Sequence, residues 1–335
     1  MTAQRNPNAE AAPQRKMPMR FDALAMFARP VRNVELAVAF YRDALGFVPL
    51  ESNSAAEQAA RAIAVQLGDA WGLDRTPSQW AMLTAGDQRL LLVACEELPP
   101  ADPDSGGTDV RFQHIAVVVG DMDAAWRRLL HCHPDLRCVG HGGPQQLPAS
   151  SGGVTAVKFR DMDGHPVELL EFPPGQLPAY WQSKVSQSLH GEPTVGIDHS
   201  AISVTSTDAS IRFYKQEFGL QLANRQTNNG PAQAQLDGIA DPVVEVVALH
   251  AQTRHTPHLE LLGYTQPAAT TGMAQASVRL PRTTLVWHAQ SVEAKGAEEA
   301  TNATVRWATD PDGHPHIWLP HASASGVAAA SGGAA

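Results

Sequence analysis

Two short motifs occur twice along this 335-residue chain, in the same order. Phe40-Tyr41-Arg42-Asp43-Ala44-Leu45-Gly46-Phe47 returns as Phe213-Tyr214-Lys215-Gln216-Glu217-Phe218-Gly219-Leu220, and Asp161-Met162-Asp163-Gly164-His165-Pro166 returns as Asp310-Pro311-Asp312-Gly313-His314-Pro315. Such self-similarity means that the two halves are copies of one unit, which limits the folds open to the chain. Each half divides again. Four times, starting near Ala25, His114, His199 and Gln275, a short apolar run is followed by an amphipathic stretch and then by alternating segments. In the second copy Ile115–Val119 reads as a strand, Asp121 or Asp123 as the cap of a helix through Trp126 to Leu130, and Val154–Phe159 as another strand. Asp163-Gly164 reads as a hairpin turn and Pro166–Phe172 as the returning strand. Four βαβββ modules predict an α+β fold.

The remaining segments read as punctuation. Residues 1–20 and 323–335 are too polar or too small in side chain to bury anything and read as disordered tails. After Phe172 the sequence Pro173-Pro174-Gly175 opens a polar stretch up to Glu192-Pro193, composed like an exposed linker. The expected organisation is a first two-module domain at 21–176, a linker at 177–192 and a second two-module domain at 193–322.

Charge and composition remove several function classes. With 34 acidic against 25 basic side chains and no Lys/Arg-rich block, the chain offers nothing to neutralise a row of phosphates or an anionic membrane. No apolar run approaches the ~18 residues of a membrane span, and Met1–Arg20 lacks the apolar core of a secretory signal, so the expectation is a cytoplasmic protein. Cys95, Cys132 and Cys138 are too few for a disulfide framework. His131-Cys132-His133 with Cys138 reads as a helix end running into a loop at Pro134, since structural zinc sites normally show two spaced ligand pairs.

The paired FYxxxLG-like and DxDGHP-like motifs resemble the vicinal oxygen chelate superfamily, which includes glyoxalase I, methylmalonyl-CoA epimerase, fosfomycin and bleomycin resistance proteins and extradiol dioxygenases. The resemblance spans roughly residues 22–320. It implies that modules pair into cup-shaped sheets, each module offering one metal ligand from the start of its first strand and another from its last.

At those positions the first module carries Met26 and Leu91, which suit no hard or borderline metal. The second carries His114 and Glu168, and the third His199 and Glu260. The fourth carries Gln275, by alignment of Trp287 with Trp126, and Ile317. Pairing of sequence neighbours would leave one His and one Glu in each cup. Crossed pairing, module two with three and one with four, collects His114, Glu168, His199 and Glu260 in one cup, and this arrangement is favoured; a homodimer joining module two of one chain to module three of another would serve equally.

The resemblance thus implies one divalent ion, Ni, Co, Fe, Mn or Zn, held by two imidazoles and two carboxylates, with two positions open to a substrate carrying adjacent oxygens. Glu168 or Glu260 would act as general base. The expected function is a metal-dependent glyoxalase-like lyase or isomerase working on a small molecule. The alternatives are an extradiol-type ring-cleaving dioxygenase and a non-catalytic binding protein of the resistance type. Glutathione stays one option for a thiol cofactor, although no arginines suited to it stand out. The polar loop Gly142–Gly153 reads either as a surface loop or as a flap offering Gln145, Gln146 or Ser151 to substrate. His165 and His314 follow the turn glycine in both copies and read as packing residues. His316 lies one residue from the lost carboxylate position and reads as facing away from the cup.

Overall fold

Four modules appear in chain order in the computed structural model, which describes residues 21–50, 54–73, 76–96, 98–99, 105–187, 193–270, 281–289 and 306–319. The first contains β1 (Phe21–Val31), α1 (Val34–Ala39) running into a π-helical turn (Phe40–Ala44), β2 (Val48–Pro49), α2 (Ser54–Trp71), β3 (Trp80–Ala85) and β4 (Gln88–Ala94). The second contains β5 (Gln113–Val119), α3 (Met122–Cys132), β6 (Gln145–Gln146), a 3-10 turn (Ala149–Ser151), β7 (Thr155–Arg160) and β8 (Pro166–Glu171). Helix α4 (Ala179–Gln187) leads to the third, with β9 (Thr194–Ser203), α5 (Thr207–Glu217), β10 (Gln221–Asn229), α6 (Pro231–Asp237), β11 (Val243–His250) and β12 (His258–Gln266). The fourth shows β13 (Thr284–Ala289), β14 (Arg306–Thr309) and β15 (Pro315–Leu319). Helix starts follow their capping residues: Asn33, Asp121 and Ser206 each accept a first-turn backbone N–H, from Leu36, Ala124 and Ala209. No helix among the described residues is long and apolar enough to cross a membrane.

Strand pairing crosses the halves of the chain. β5 of the second module pairs antiparallel with β9 of the third, giving an eight-stranded sheet in the order β10-β11-β12-β9-β5-β8-β7-β6. β1 pairs antiparallel with β13, giving a seven-stranded sheet in the order β14-β15-β13-β1-β4-β3-β2. Alternation along the strands divides each sheet into two faces. Ile115, Val117 and Val119 point one way and join α1, α3 and α5 and the matching face of the other sheet in one shared core, with Phe27, Tyr41, Phe159, Tyr214 and Trp287. His114, Ala116 and Val118 point the other way, into the cup.

The repeated motifs meet in this shared core and fasten each module to its sequence neighbour in the other sheet. Tyr41 donates to Asp161 Oδ2 at 2.6 Å, and the fully buried Arg29 donates to the same oxygen at 3.2 Å. In the second half Tyr214 donates to Asp310 Oδ2 at 2.9 Å and stands 3.0 Å from His316 Nε2. Trp287 Nε1 donates to His316 Nδ1 at 3.1 Å, which puts the proton of a neutral His316 on Nε2, facing Tyr214. His316 therefore lies on the core side of β15, and His314 and His165 bond within and beside their own turns. Gly164 and Gly313 adopt φ of 87°, which the tight DxDGHP turn requires.

Three sequence expectations change. The stretch 177–192 is no exposed linker where it is described: α4 packs on the eight-stranded sheet and buries Trp181, 1% exposed, against Val118, Val195 and Leu236. The composition misled because one tryptophan and a few half-buried side chains suffice to dock a two-turn helix. The opening position of the fourth module is Thr284 rather than Gln275. Register fixes this: Ala28 pairs with Thr284 as Ala201 pairs with His114, and Trp287 lies on a strand, so its alignment with helical Trp126 was false. Residues 21–176 and 193–322 each contribute strands to both sheets, so neither half holds a complete cup. The expected tails at 1–20 and 323–335, like Gln275, lie outside the described residues.

Candidate metal centre

The cup of the eight-stranded sheet brings His114, Glu168, His199 and Glu260 together. His114 and His199 come from the adjacent first strands β5 and β9, and Glu168 and Glu260 from the strands β8 and β12 that run parallel beside them. His114 Nε2 stands 2.8 Å from Glu168 Oε2, and His199 Nε2 stands 3.5 Å from Glu260 Oε2. Ligand atoms of His114, Glu168 and His199 all lie within 4.8 Å of one another. Neither ring nitrogen of His114 has a hydrogen bond of acceptable direction, although the residue is only 1% exposed. A buried imidazole with no hydrogen-bond partner is costly unless a cation takes its lone pair.

The electrostatics fit the same occupant. Four carboxylates, from Glu168, Glu260, Asp198 and Asp237, are gathered here with one ammonium, that of Lys158, which faces Glu168 across the β7–β8 ladder and bonds Asp237 Oδ1 at 2.7 Å. Burial works against ionised Glu168, but Lys158 and His114 overcome it and hold its carboxyl down at about 2. Burial also opposes charge on His199; Glu260 and the hydrogen bond to Asp198 overcome it and lift the imidazole to about 9. On His114 burial wins over Glu168 and keeps the ring neutral, the form that binds metals. The donor set is thus mixed nitrogen and oxygen, anionic in sum, and suited to Ni, Co, Fe(II) or Mn, with Zn also accommodated.

Some side chains stand here that the sequence reading passed over. His258 Nε2 is 3.5 Å from Glu260 Oε1, and its Nδ1 is 3.8 Å from Asp198 Oδ2. Residues i and i+2 of a strand share a face, so His258 was legible from Glu260. Lys158 announces itself as a lone charge between Val157 and Phe159 on a buried strand. Asp198 had no such signal. Gln145, Gln146 and Ser151 are not brought to the cluster: β6 is the sheet edge, separated from β8 by β7. Gln145 spends its amide on the carbonyls of His141 and Gly143, Gln146 is exposed, and Ser151 is buried in its own turn.

The sequence profile of the Glyoxalase/Bleomycin resistance protein/Dioxygenase superfamily matches residues 23–169. This chain carries a glyoxalase-superfamily domain. Among solved structures it is similar to glyoxalase I from Zea mays, at 14% identity and a TM-score of 0.53, covering 90% of this chain and 94% of that one. A V278E mutant of the maize enzyme gives 14% identity, a TM-score of 0.52 and the same coverage. At that identity the likeness concerns the fold. No curated protein sequence matches the chain.

The second cup, in the seven-stranded sheet, is filled by a core. Met26, Leu91, Thr284 and Ile317 occupy the places of His199, Glu260, His114 and Glu168. Helix α2 lies inside this cup, where Ile63, Ala64, Leu67 and Trp71 pack on Met26, Leu91, Val286 and Ile317. Trp71 Nε1 donates to Thr284 Oγ1 at 2.9 Å, so even the one polar side chain at a former ligand place is satisfied. The short helix α6 occupies the equivalent point of the third module, between its second and third strands. It rests on β6 and β7 beside the other cup, anchored by Asp237 to Lys158 and Tyr264.

Proposed function

We propose that the protein is a divalent-metal-dependent lyase or isomerase acting on a small molecule with adjacent oxygens, with its single site in the cup shared by the second and third modules. The observation that carries this reading is His114, buried without a hydrogen bond and aimed with Glu168 and His199 at one point. A divalent ion held there supplies Lewis acidity to the two substrate oxygens. Glu168, pinned between His114 and Lys158 and ionised far below neutral pH, acts as a fixed ligand. Glu260 is the better base. Its side chain is 20% exposed, and its contacts to His199 and His258 are long, so it is free to swing and take a proton next to a carbonyl. His258, at the other carboxylate oxygen, steadies it. The ring-cleaving dioxygenase alternative draws ligands from the third and fourth modules, and Thr284 and Ile317 supply none.

Metal content of protein purified without chelators tests this. About one transition-metal ion per chain, lost in His114→Ala and in His199→Ala, is expected; no stoichiometric metal even after anaerobic reconstitution would overturn the reading. Glu260→Gln should then keep the ion and lose turnover of vicinal-oxygen substrates, whereas Glu168→Gln should lose the ion.

A further inference from the structure

We propose that Asp198 is the positioning residue for His199, and that Trp181 of α4 holds Asp198 in place; the inference rests on the metal-site reading above. Register along β5 and β9 runs from Ala116 opposite His199 directly to Val117 opposite Ile197, leaving Asp198 as the extra residue of a β-bulge. In a regular strand neighbouring side chains point to opposite faces; at a bulge both can lie on one side. Asp198 and His199 do so, and Asp198 Oδ2 accepts from His199 Nδ1 at 3.0 Å. In the neutral form that binds a metal, that bond fixes the proton on Nδ1 and turns the Nε2 lone pair toward His114, Glu168 and Glu260. The other oxygen, Oδ1, accepts from Trp181 Nε1 at 2.9 Å. The carboxylate is thereby tied at both ends and is only 8% exposed. His114 has no such support, since its Nδ1 has no hydrogen bond. His199 is therefore the oriented imidazole of the pair.

The indole reaches Asp198 because β9 makes room for it. A Cβ on Gly196 would lie 2.7 Å from the Trp181 ring, so glycine lets the ring lie flat on the strand. The helix carrying Trp181 is itself held by the seven-stranded sheet's hairpin: Tyr180 bonds Gln88 at 2.7 Å, Lys184 pairs with Asp87, and Gln88 Oε1 accepts from Ile197 N at 3.0 Å. The orientation of a ligand in one sheet thus depends on contacts made by the other.

The test is binding of Co(II) to the metal-free full chain by competition with a chromophoric chelator, together with the Co(II) d–d absorption band and the melting temperature of the metal-free protein. Asp198→Asn is expected to weaken binding about 10- to 100-fold and to shift the band. Trp181→Phe keeps the carboxylate charge and most of the packing, and should weaken binding by a smaller factor with the same band shift. Unchanged affinity and band in both variants, with only a lowered melting temperature, would reduce Asp198 to a structural residue and overturn the proposal while leaving the metal site standing. His258→Ala separates a competing arrangement in which Asp198, His199 and His258 themselves hold the ion. Binding retained in His258→Ala and lost in His114→Ala is expected; the reverse pattern overturns the proposal. A wild-type protein that takes up no Co(II) overturns the metal reading itself.

Discussion

A buried ammonium is tolerable only beside a carboxylate, and Lys158 and Asp237 are 2.7 Å apart with both side chains almost wholly buried. Removing one partner leaves the other charged and unpaired. Lys158→Met should therefore cost about 3–5 kcal/mol in chemical denaturation, and a loss below ~1 kcal/mol would mean that the pair contributes little to the native state. The change also removes the cation that keeps Glu168 ionised, so any metal should bind with altered affinity. How much of the site could be read from sequence differs by residue. His199 and Glu260 were legible because the distance from Tyr214 and the pattern His-Leu-Glu-Leu mark strand positions. Glu168 was legible from the strand that follows the first DxDGHP turn, and His114 from its place at the opening of the apolar run Ile115–Val119. Asp198 was hidden, because a bulge changes which way a side chain points and leaves no periodic trace.

At the level of elements the two motif contacts carry the sharpest expectations. Burial alone would raise the Asp161 and Asp310 carboxyls; His165, Arg29 and Tyr41 around the first, and His314 and His316 around the second, overcome it and hold both below the usual carboxylate range. A folded pKa below the unfolded value stabilises the native state above the unfolded pKa of ~3.9, and that stabilisation is lost as pH falls through the lowered folded value. The contribution of these two carboxyls should thus be constant from about pH 7 to 5 and be lost below about pH 4, read as a fall of the denaturant midpoint on the acid side. Tyr41→Phe should cost about 1.5–3 kcal/mol at neutral pH, as for a hydrogen bond to a charged group, and make the acid-side fall shallower; an unchanged slope would mean that Asp161 does not titrate in that range. Helix α2 offers a second test. Trp71→Ala should cost about 3–5 kcal/mol by opening a cavity in the filled cup, without touching metal stoichiometry. Ala60, Ile63, Ala64, Leu67 and Trp71 stand at helical spacing, a signal the βαβββ reading passed over; where α2 lies could not be read at all, because an apolar stripe says that a helix is buried and never in what.

Among the described residues the strands form two sheets, each made from strands of both halves of the chain. Residues 21–176 and 193–322 expressed apart should fail to give cooperatively folded proteins and should recover far-UV and near-UV dichroism when co-expressed as a one-to-one complex; two independently folded halves would contradict the crossed pairing. The repeats made four modules legible, and the complementary distribution of ligands pointed to the pairing, because four ligands make a site and two do not.

The crossed arrangement also sets an order of events during synthesis. The strands of the eight-stranded sheet all lie between Gln113 and Gln266, so every one of them has been translated before β13 is made. The other sheet joins β1 of the first module to β13 and β15 of the fourth, so its strands are translated on either side of the whole eight-stranded sheet. Its early strands must wait for the fourth module with an apolar cup and an open edge, the condition under which nascent chains are captured by chaperones or by one another. Helix α2, emerging just behind β1, gives that waiting surface something to cover it before its partner strands arrive.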